Sequence, residues 1–237
     1  MGPYGNASSG GMPRRGLKLW PILLFGVYLA YYWFSHQDTT SYTGRKQLVD
    51  TSPQQEAALG LQAYEQILAE SQVVTSGPLP QQVKSIAERL TAAAPKVEQY
   101  YAQTHNTPAD TDWSAYQWQV AVLQSDDVNA FCLPGGKIAV YTGIVPVTQN
   151  ADGLAVVMGH EIAHALLRHG GERMAQQKLV QIGAVAAGVS MSDMDPQQQR
   201  MVMAALGAGA TYGVLLPFSR DHESEADYLG LMLASAA

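Results

Sequence analysis

The sequence predicts a mostly helical α+β fold with a small antiparallel sheet, preceded by a single N-terminal transmembrane helix. Three observations lead to this expectation. Most of the chain after residue 53 carries apolar residues at helical spacing. From Tyr116 the spacing changes to two, and two of the strand-like runs flank the turn Pro134-Gly135-Gly136. An uncharged apolar run, Leu19–Ser35, precedes all of this.

Composition and charge narrow the class of protein. The 237 residues suffice for one domain of moderate size, and 47% of them are hydrophobic while only 14% are charged. The formal net charge of −6 provides no basic surface, so we expect no nucleic-acid partner. The lone Cys132 excludes an intrachain disulfide and a cysteine-rich zinc finger.

The N-terminal part of the chain predicts a tail and a membrane anchor. Residues 1–16 are rich in Gly, Pro and Ser and are expected to form a disordered cytoplasmic tail. Residues 17–35 are expected to form a transmembrane signal-anchor helix, since Arg14, Arg15 and Lys18 flank its start and aromatic residues close it. A cleavable signal peptide and a buried core helix are the alternatives. No A-x-A-like cleavage site follows the run, which favours an uncleaved anchor.

The rest of the chain divides into a linker and a domain. Residues 36–52 are polar and are expected to form a linker, and residues 53–237 to form the globular domain. The predicted helices are Gln54–Ser71, Gln81–Ala94, Val97–Gln103, Asp152 to Gly170-Gly171, Glu172–Ser190, Pro196–Leu216 and a last one from about Arg220. The predicted strands lie within 116–125, 128–133 and 137–145. The chain stops inside an apolar helical pattern, Leu229–Ala237, so we expect a truncated form of a longer protein.

Residues 159–170 read GHEIAHALLRHG and place three histidines around one glutamate. His160 and His164 are four residues apart, so on a helix both imidazoles project from one face and can meet one metal ion. Glu161 lies one residue round, where its carboxylate can reach a zinc-bound water and take its proton. This is the HExxH pattern of zinc peptidases, and the apolar residues around it argue against a chance match on a surface helix.

His169 is expected to lie outside the metal site. A helix that continues to Gly170 turns His169 roughly 140–180° away from the other two histidines. The predicted roles of His169 are a contact with another segment or an interaction with the helix C-terminus.

A catalytic zinc site needs a third protein ligand, and SRDHESEADYLG at 219–230 is the obvious source. Glu223 and Asp227 are four residues apart and share one helical face. One carboxylate can therefore bind zinc while the other accepts the second ring N–H of a histidine ligand. Glu225 lies on another side and is interpreted as solvated or salt-bridged, and His222 also lies off the shared face.

Together these motifs resemble the HtpX/Oma/BepA-like family of membrane-associated zinc metallopeptidases. HEIAH is followed by SRDHESEAD, and NAFCLPGGKIAVYTGIV at 129–145 is similar to a third family segment. The resemblance implies a zincin-like metallopeptidase domain from about Arg45 to the last residue. It implies Glu223 as the third zinc ligand, Asp227 behind a ligand histidine, and Arg220 as a further residue that supports the site.

The same resemblance implies how a substrate binds. The family places the third segment as an edge strand beside the active-site helix, where an extended peptide adds as a further strand. The residues expected to align the substrate are Gly135, Gly136, Lys137, Ile138, Ala139, Val140 and Tyr141. Family members usually continue beyond this point and add a polar residue that assists the transition state, and this sequence does not supply one.

The sequence therefore predicts a membrane-anchored zinc endopeptidase. One Zn²⁺ per chain is expected, bound by His160, His164 and Glu223, with Glu161 as the general base. The resemblance implies misfolded or unassembled envelope proteins as substrates, with the domain on the periplasmic side of the bacterial inner membrane or, alternatively, at the mitochondrial inner membrane. A zinc-stabilised module that binds client proteins without cutting them is the alternative function. Glu161 favours the enzyme, because a purely structural zinc site has no use for a general base.

Overall fold

The computed structural model describes residues 17–210 and 216–237, with side chains described at 17–207 and 220–237. The predicted tail over 1–16 lies outside the described residues. Across the described ranges the chain is mostly helical with two small sheets, as the sequence predicts.

The N-terminal helix α1, Trp20–Ser35, packs along one side against the rest of the protein. The Phe25 ring lies over Gly183, and Tyr32 packs with Ala175. Its other side leaves large apolar residues exposed, among them Leu23, Val27, Tyr31 and Phe34. Among the described residues, no helix is both long enough and apolar enough to cross a membrane.

Residues 36–52, expected to form a linker, contain a small antiparallel sheet. Strand β1, Gln37–Thr39, pairs with strand β2, Lys46–Leu48. Tyr42 and Leu48 are buried against the helices, so this segment is part of the packed structure. The linker expectation is wrong because strands of three residues carry too few apolar residues to show a period in the sequence.

Two long helices follow. Helix α2, Pro53–Glu70, begins at a capping box formed by Ser52 and Gln55. Helix α3, Pro78–His105, runs unbroken through Pro95, where the sequence predicts two separate helices. The proline removes one backbone hydrogen bond, but buried apolar residues on both sides of it hold the helix against the core.

The second sheet has three strands: β3, Gln119–Leu123; β4, Ala130–Leu133; and β5, Lys137–Tyr141. Their order is β3-β5-β4. β4 and β5 form the predicted hairpin, with Gly135 and Gly136 in the turn at positive φ angles of 76° and 80°. β3 pairs with β5 in parallel, so the expectation of an antiparallel sheet is wrong for β3. Alternation of apolar residues is the same for both directions and cannot distinguish them.

In the described ranges that follow the second sheet there are five α-helices: α4, Val145–Thr148; α5, Ala151–Leu166; α6, His169–Ser190; α7, Pro196–Ala210; and α8, Leu216–Ala236. Helix α5 runs through the core, where it contacts α3, α8 and β4. Met158 and Ile162 on α5 are buried, as are Leu229 and Leu233 on α8. Burying each such side chain stabilises the fold by about 1.5–3 kcal/mol, so this packing places α5 and α8 firmly against each other.

Candidate metal centre

Helix α5 ends at Leu166 rather than near Gly170 as the sequence predicts. Arg168 takes a left-handed backbone conformation, with φ at 56°, and this residue separates α5 from α6. Its guanidinium donates to Glu56 Oε1 at 2.7 Å and to Asp38 Oδ2 at 3.0 Å. These contacts with distant parts of the chain stabilise a backbone conformation that is unfavourable by itself.

Helices α5 and α8 cross at two glycines beside the HEIAH segment. A Cβ on Gly159 would lie 2.7 Å from the carbonyl oxygen of Gly230. A Cβ on Gly230 would lie 2.7 Å from His160 Cα. Glycine at both positions therefore allows the two backbones to approach closely, and this brings the acidic face of α8 over the histidines.

His160, His164 and Glu223 meet at one point on this crossing. The two histidine Nε2 atoms lie 3.0 Å apart. The carboxylate oxygens of Glu223 lie 3.3 Å from His160 Nε2 and 3.7 Å from His164 Nε2. Within the described ranges these residues form the one group of three or more side chains able to share a metal ion. The fold thus brings together the three residues predicted as ligands.

The spacing of the two histidine nitrogens and the Glu223 carboxylate oxygens fits a tetrahedral zinc ion. Zinc binds imidazole nitrogen and carboxylate oxygen at about 2.0–2.2 Å, so neighbouring ligand atoms lie roughly 3.3–3.6 Å apart. The observed separations of 3.0, 3.3 and 3.7 Å bracket that range. Two imidazoles and one carboxylate leave one tetrahedral position for water, which is the pattern of catalytic zinc sites rather than structural ones.

Asp227 lies behind His160, one of the two histidines that the sequence predicts as ligands. His160 Nδ1 donates to Asp227 Oδ1 at 2.9 Å, and its Nε2 faces Glu223. A hydrogen bond of this kind fixes the tautomer and the ring orientation of a metal ligand. The resemblance also points to Arg220, but its exposed side chain forms no hydrogen bond or ion pair with the side chains that the structure describes.

Three residues that the sequence places outside the site lie directly behind it. His169 Nδ1 is 2.8 Å from His164 Nδ1, and His169 Nε2 is 3.2 Å from Glu225 Oε2. The ring of His222 stacks on that of His169, with centroids 4.2 Å apart. The expectation that His169 points away is wrong because α5 ends before it, and the helical phase argument stops there.

Burial determines the protonation of two site residues on α5. It raises the pKa of Glu161 to about 7, with His160 lowering and Glu223 raising that value. Burial lowers the pKa of His164 to about 3, and the neighbouring histidines add to the effect. A neutral His164 offers a lone pair to a metal, and a carboxylate that titrates near neutral pH can both accept and return a proton.

His160, His164 and Glu223 line a cleft of about 370 Å³ whose walls include β4 and the start of α6. β4 is an edge strand. The carbonyl oxygens of Asn129 and Leu133 accept hydrogen bonds from the β5 side. By the alternation of an antiparallel ladder, Ala130 and Cys132 direct their backbone groups away from β5. Both residues line the cleft, so a strand edge that no described residue pairs with faces His160, His164 and Glu223.

The residues expected to form the substrate-binding edge, Gly135–Tyr141, lie elsewhere. They form the turn and β5, which is the central strand and is paired with β3 on one side and β4 on the other. Lys137 is buried and donates to the carbonyl oxygen of Gln117. The edge-strand interpretation is therefore wrong for β5, and the exposed edge belongs to β4, the preceding strand of the same hairpin.

The chain is similar in sequence to a known peptidase family and to several curated proteins. A family model described as Peptidase family M48 matches residues 81–237. The chain is 31% identical over 220 residues to the mitochondrial metalloendopeptidase OMA1 of Schizosaccharomyces pombe, covering 90% of the chain and 58% of that protein. It is 29% identical over 238 residues to OMA1 of Saccharomyces cerevisiae, covering 95% and 61%. It is 27% identical over 183 residues to the beta-barrel assembly-enhancing protease of Yersinia pestis, covering 76% and 34%. The chain thus spans about three fifths of the first two relatives.

Proposed function

Since the chain belongs to peptidase family M48, we propose that it is a zinc-dependent endopeptidase whose metal is held by His160, His164 and Glu223. The observation that carries the proposal is the set of distances among the two histidine nitrogens and the carboxylate oxygens of Glu223, which fits a tetrahedral ion with one open position. A zinc ion bound there would supply a Lewis acid that polarises a peptide carbonyl and lowers the pKa of water.

Glu161 is the general base in this proposal. It lies next to a ligand histidine on α5 and lines the cleft, and burial raises its pKa to about 7. The carboxylate takes a proton from the attacking water and returns it to the amine of the departing peptide. A positioned base of this kind contributes about 10²–10⁴-fold to the rate.

The free edge of β4 is the proposed binding surface for the substrate. An extended peptide that pairs with the outward backbone groups of Ala130 and Cys132 would lie beside the metal cluster. Backbone pairing selects peptides in an extended conformation and does not depend on particular side chains. Segments of unfolded or unassembled proteins meet that requirement, so we propose these proteins as substrates.

Helix α1 is the proposed membrane anchor. Leu23, Val27 and Phe34 are exposed on one side of it, and a contiguous apolar surface of this kind favours lipid or a partner. The relatives named for mitochondria and for β-barrel assembly support a role in the bacterial envelope or at the mitochondrial inner membrane. We expect the full chain to float with phospholipid vesicles in a density gradient and the double variant Leu23→Asp, Val27→Asp to remain at the bottom. Equal flotation of both proteins would argue against the anchor.

The proposed reaction is tested by measuring bound zinc and casein cleavage on the full chain. Glu161→Gln is expected to retain zinc and to lose cleavage by about 10²-fold or more, because the amide cannot accept the proton. Glu223→Ala is expected to lose both zinc and cleavage. Asp152→Asn is the matched control, since it makes the same kind of change at an exposed position in the first turn of α5 and should cut like the wild type.

Two outcomes contradict the proposal. Cleavage at the wild-type rate by Glu161→Gln would remove the general base from the mechanism. Zinc binding without cleavage by the wild type would favour a module that binds client proteins without cutting them.

A further inference from the structure

His164 has a partner behind it that the ligand motif does not include. Its Nε2 faces the other ligand atoms, and its Nδ1 lies 2.8 Å from Nδ1 of His169. His169 in turn places its Nε2 3.2 Å from Glu225 Oε2. A line of three side chains therefore runs from the metal cluster into the interior.

The chemistry of these groups fixes the direction of both hydrogen bonds. A carboxylate only accepts, so the proton between His169 and Glu225 resides on His169 Nε2. A neutral imidazole carries one N–H, so His169 Nδ1 is an acceptor and takes its hydrogen bond from His164 Nδ1–H. His164 Nε2 then keeps a free lone pair on the metal side. This is the tautomer that a zinc ligand bound through Nε2 requires.

Glu225 is itself held from its far side. Arg45, in the turn between β1 and β2, donates from Nε to both oxygens of Glu225 at 2.9 Å. The two terminal nitrogens of Arg45 donate to Glu172 at 2.9 and 2.7 Å. His222 donates to Glu172 at 2.9 Å and stacks on His169 with its ring tilted by only 13°. His169 is thus held by Glu225, which pairs with Arg45, and by the stacked ring of His222, which is bound to Glu172.

The inner side chains of the cluster are closed to water, while Glu225 and Arg45 at its outer end are 13% and 24% exposed. His169 is 2% exposed, and His222 and Glu172 are each 1% exposed. Solvent therefore cannot replace a contact that His169, His222 or Glu172 loses, and breaking the pairs of Glu172 would leave a buried charge without a partner. A network of this kind holds its side chains in one arrangement. Through the hydrogen bond between His169 and His164, it also fixes the orientation of the His164 ring.

We propose that His169 is a positioning residue that fixes the tautomer and ring orientation of His164. Glu225, held by Arg45, is its anchor. The inference rests on the proposed function, because it treats His164 as a zinc ligand. Most ligand histidines meet a carboxylate, a carbonyl or water directly, as the other ligand histidine here does with Asp227. At His164 a second imidazole stands between the ligand and the carboxylate.

Three variants separate positioning from packing. His169→Leu removes the acceptor for His164 Nδ1–H, and His169→Asn restores one, because its amide oxygen takes the place of Nδ1. Arg45→Met keeps His169 and loosens its anchor. Glu98→Gln is the control, because Glu98 is also buried and bound by several hydrogen bonds but contacts none of these residues.

The affinity of the full chain for zinc is measured by competition with a chromophoric chelator, and the stability of the metal-free proteins by urea unfolding. We expect His169→Leu to weaken zinc binding about 10–100-fold. His169→Asn is expected to recover most of that loss, and Arg45→Met to weaken binding by a smaller factor. Glu98→Gln is expected to lower stability and to keep the wild-type affinity.

Several results would overturn the inference. One is wild-type zinc affinity in His169→Leu, and another is an equal loss in His169→Asn, which retains the acceptor. A similar loss in Glu98→Gln would also overturn it, because general destabilisation would then explain the effect. If His169→Leu does not fold, wild-type affinity in Arg45→Met overturns it. A wild type that binds zinc but does not cut casein contradicts the proposed function alone and leaves this comparison of affinities valid.

Discussion

Arg168 is not part of the candidate metal centre, but its backbone conformation determines which side chain lies behind His164. Its left-handed backbone separates α5 from α6, and its guanidinium pairs with the buried carboxylate of Glu56. Because α5 ends there, His169 reaches His164 instead of pointing away from it. A non-glycine residue in this conformation costs about 1–3 kcal/mol, so the surrounding contacts must hold it.

Arg168→Met is expected to lower the free energy of unfolding by about 3–5 kcal/mol, since it leaves the charge of Glu56 buried without its partner. Urea unfolding at neutral pH measures the loss. Arg200→Met, at an exposed position on α7, is the control and should stay within about 0.5 kcal/mol of the wild type. Equal effects at the two positions would show that this ion pair does not stabilise the break between α5 and α6.

Stability is expected to depend on acid pH through the carboxylates behind the metal site. Burial opposes the ionisation of Glu172, but hydrogen bonds from His222 and Arg45 outweigh it and lower the pKa from 4.5 to about 2. At Glu225, burial is likewise outweighed by hydrogen bonds from His169 and Arg45, and the pKa is also about 2. A carboxylate whose pKa is lower in the folded state stabilises the fold above its unfolded pKa. That contribution is lost as the pH falls from about 4.5 towards 2.

The free energy of unfolding in urea, measured in steps from neutral to acid pH, should therefore fall most steeply below a pH of about 4.5. Glu225→Gln carries no titrating group at that position. We expect it to be less stable at neutral pH and to lose less stability over the acid range. An equally steep fall in this variant would contradict the role given to Glu225.

Among the elements, the crossing of α5 and α8 decides whether Glu223 reaches the histidines. Gly230→Ala is expected to push the helices apart, because its Cβ would lie 2.7 Å from the backbone of His160. Overpacking costs about 1–3 kcal/mol of stability, and a displaced α8 also weakens zinc binding. Thermal unfolding and zinc titration measure the two effects.

Gly188→Ala on α6 is the matched control, since a Cβ there meets nothing within 4 Å. It is expected to leave zinc affinity unchanged and to stabilise its helix by up to about 1 kcal/mol. Wild-type zinc affinity in Gly230→Ala would show that the close crossing is not needed for the site.

Helical spacing predicts which residues of α5 and α8 meet at the candidate metal centre, but not that His169 and Glu225 lie behind His164. The ligand histidines lie within α5 and the acidic pair lies within α8, so spacing inside a single helix places each pair. His169 depends instead on the break at Arg168. That break is stabilised by Glu56 and Asp38, which lie 112 and 130 residues away in the chain. Contacts at such separations leave no local pattern in the sequence.

In the three-stranded sheet, too, the sequence predicts the pairing of neighbouring strands but not the pairing of strands that are distant in the chain. A hairpin is local, so the turn residues predict the pairing of β4 with β5. The partner of β3 depends on the loop 124–129, which carries the chain past the position that β5 later occupies. Alternation predicts the strands but not their order. The resemblance places the substrate edge on Gly135–Tyr141, whereas the edge strand of the hairpin is β4.

For the molecule as a whole, a metal bound by residues of both α5 and α8 would couple metal binding to folding. Free zinc at a hundred times its Kd is expected to stabilise the wild type by about 2.7 kcal/mol, and a chelator should remove that gain. Glu223→Ala should unfold at the same temperature with zinc and with chelator. A wild type whose Tm does not respond to zinc would contradict this coupling.

X-ray absorption on the zinc-loaded full chain tests the three-ligand site most directly. The account predicts one zinc ion per chain with two imidazole nitrogens and further oxygen at about 2.0–2.2 Å. It also predicts that Glu223→Ala binds zinc far more weakly. A sulfur neighbour at about 2.3 Å would contradict the account, and Cys132 is the one cysteine that could supply it. An unchanged spectrum and an unchanged zinc affinity in Glu223→Ala would also contradict it.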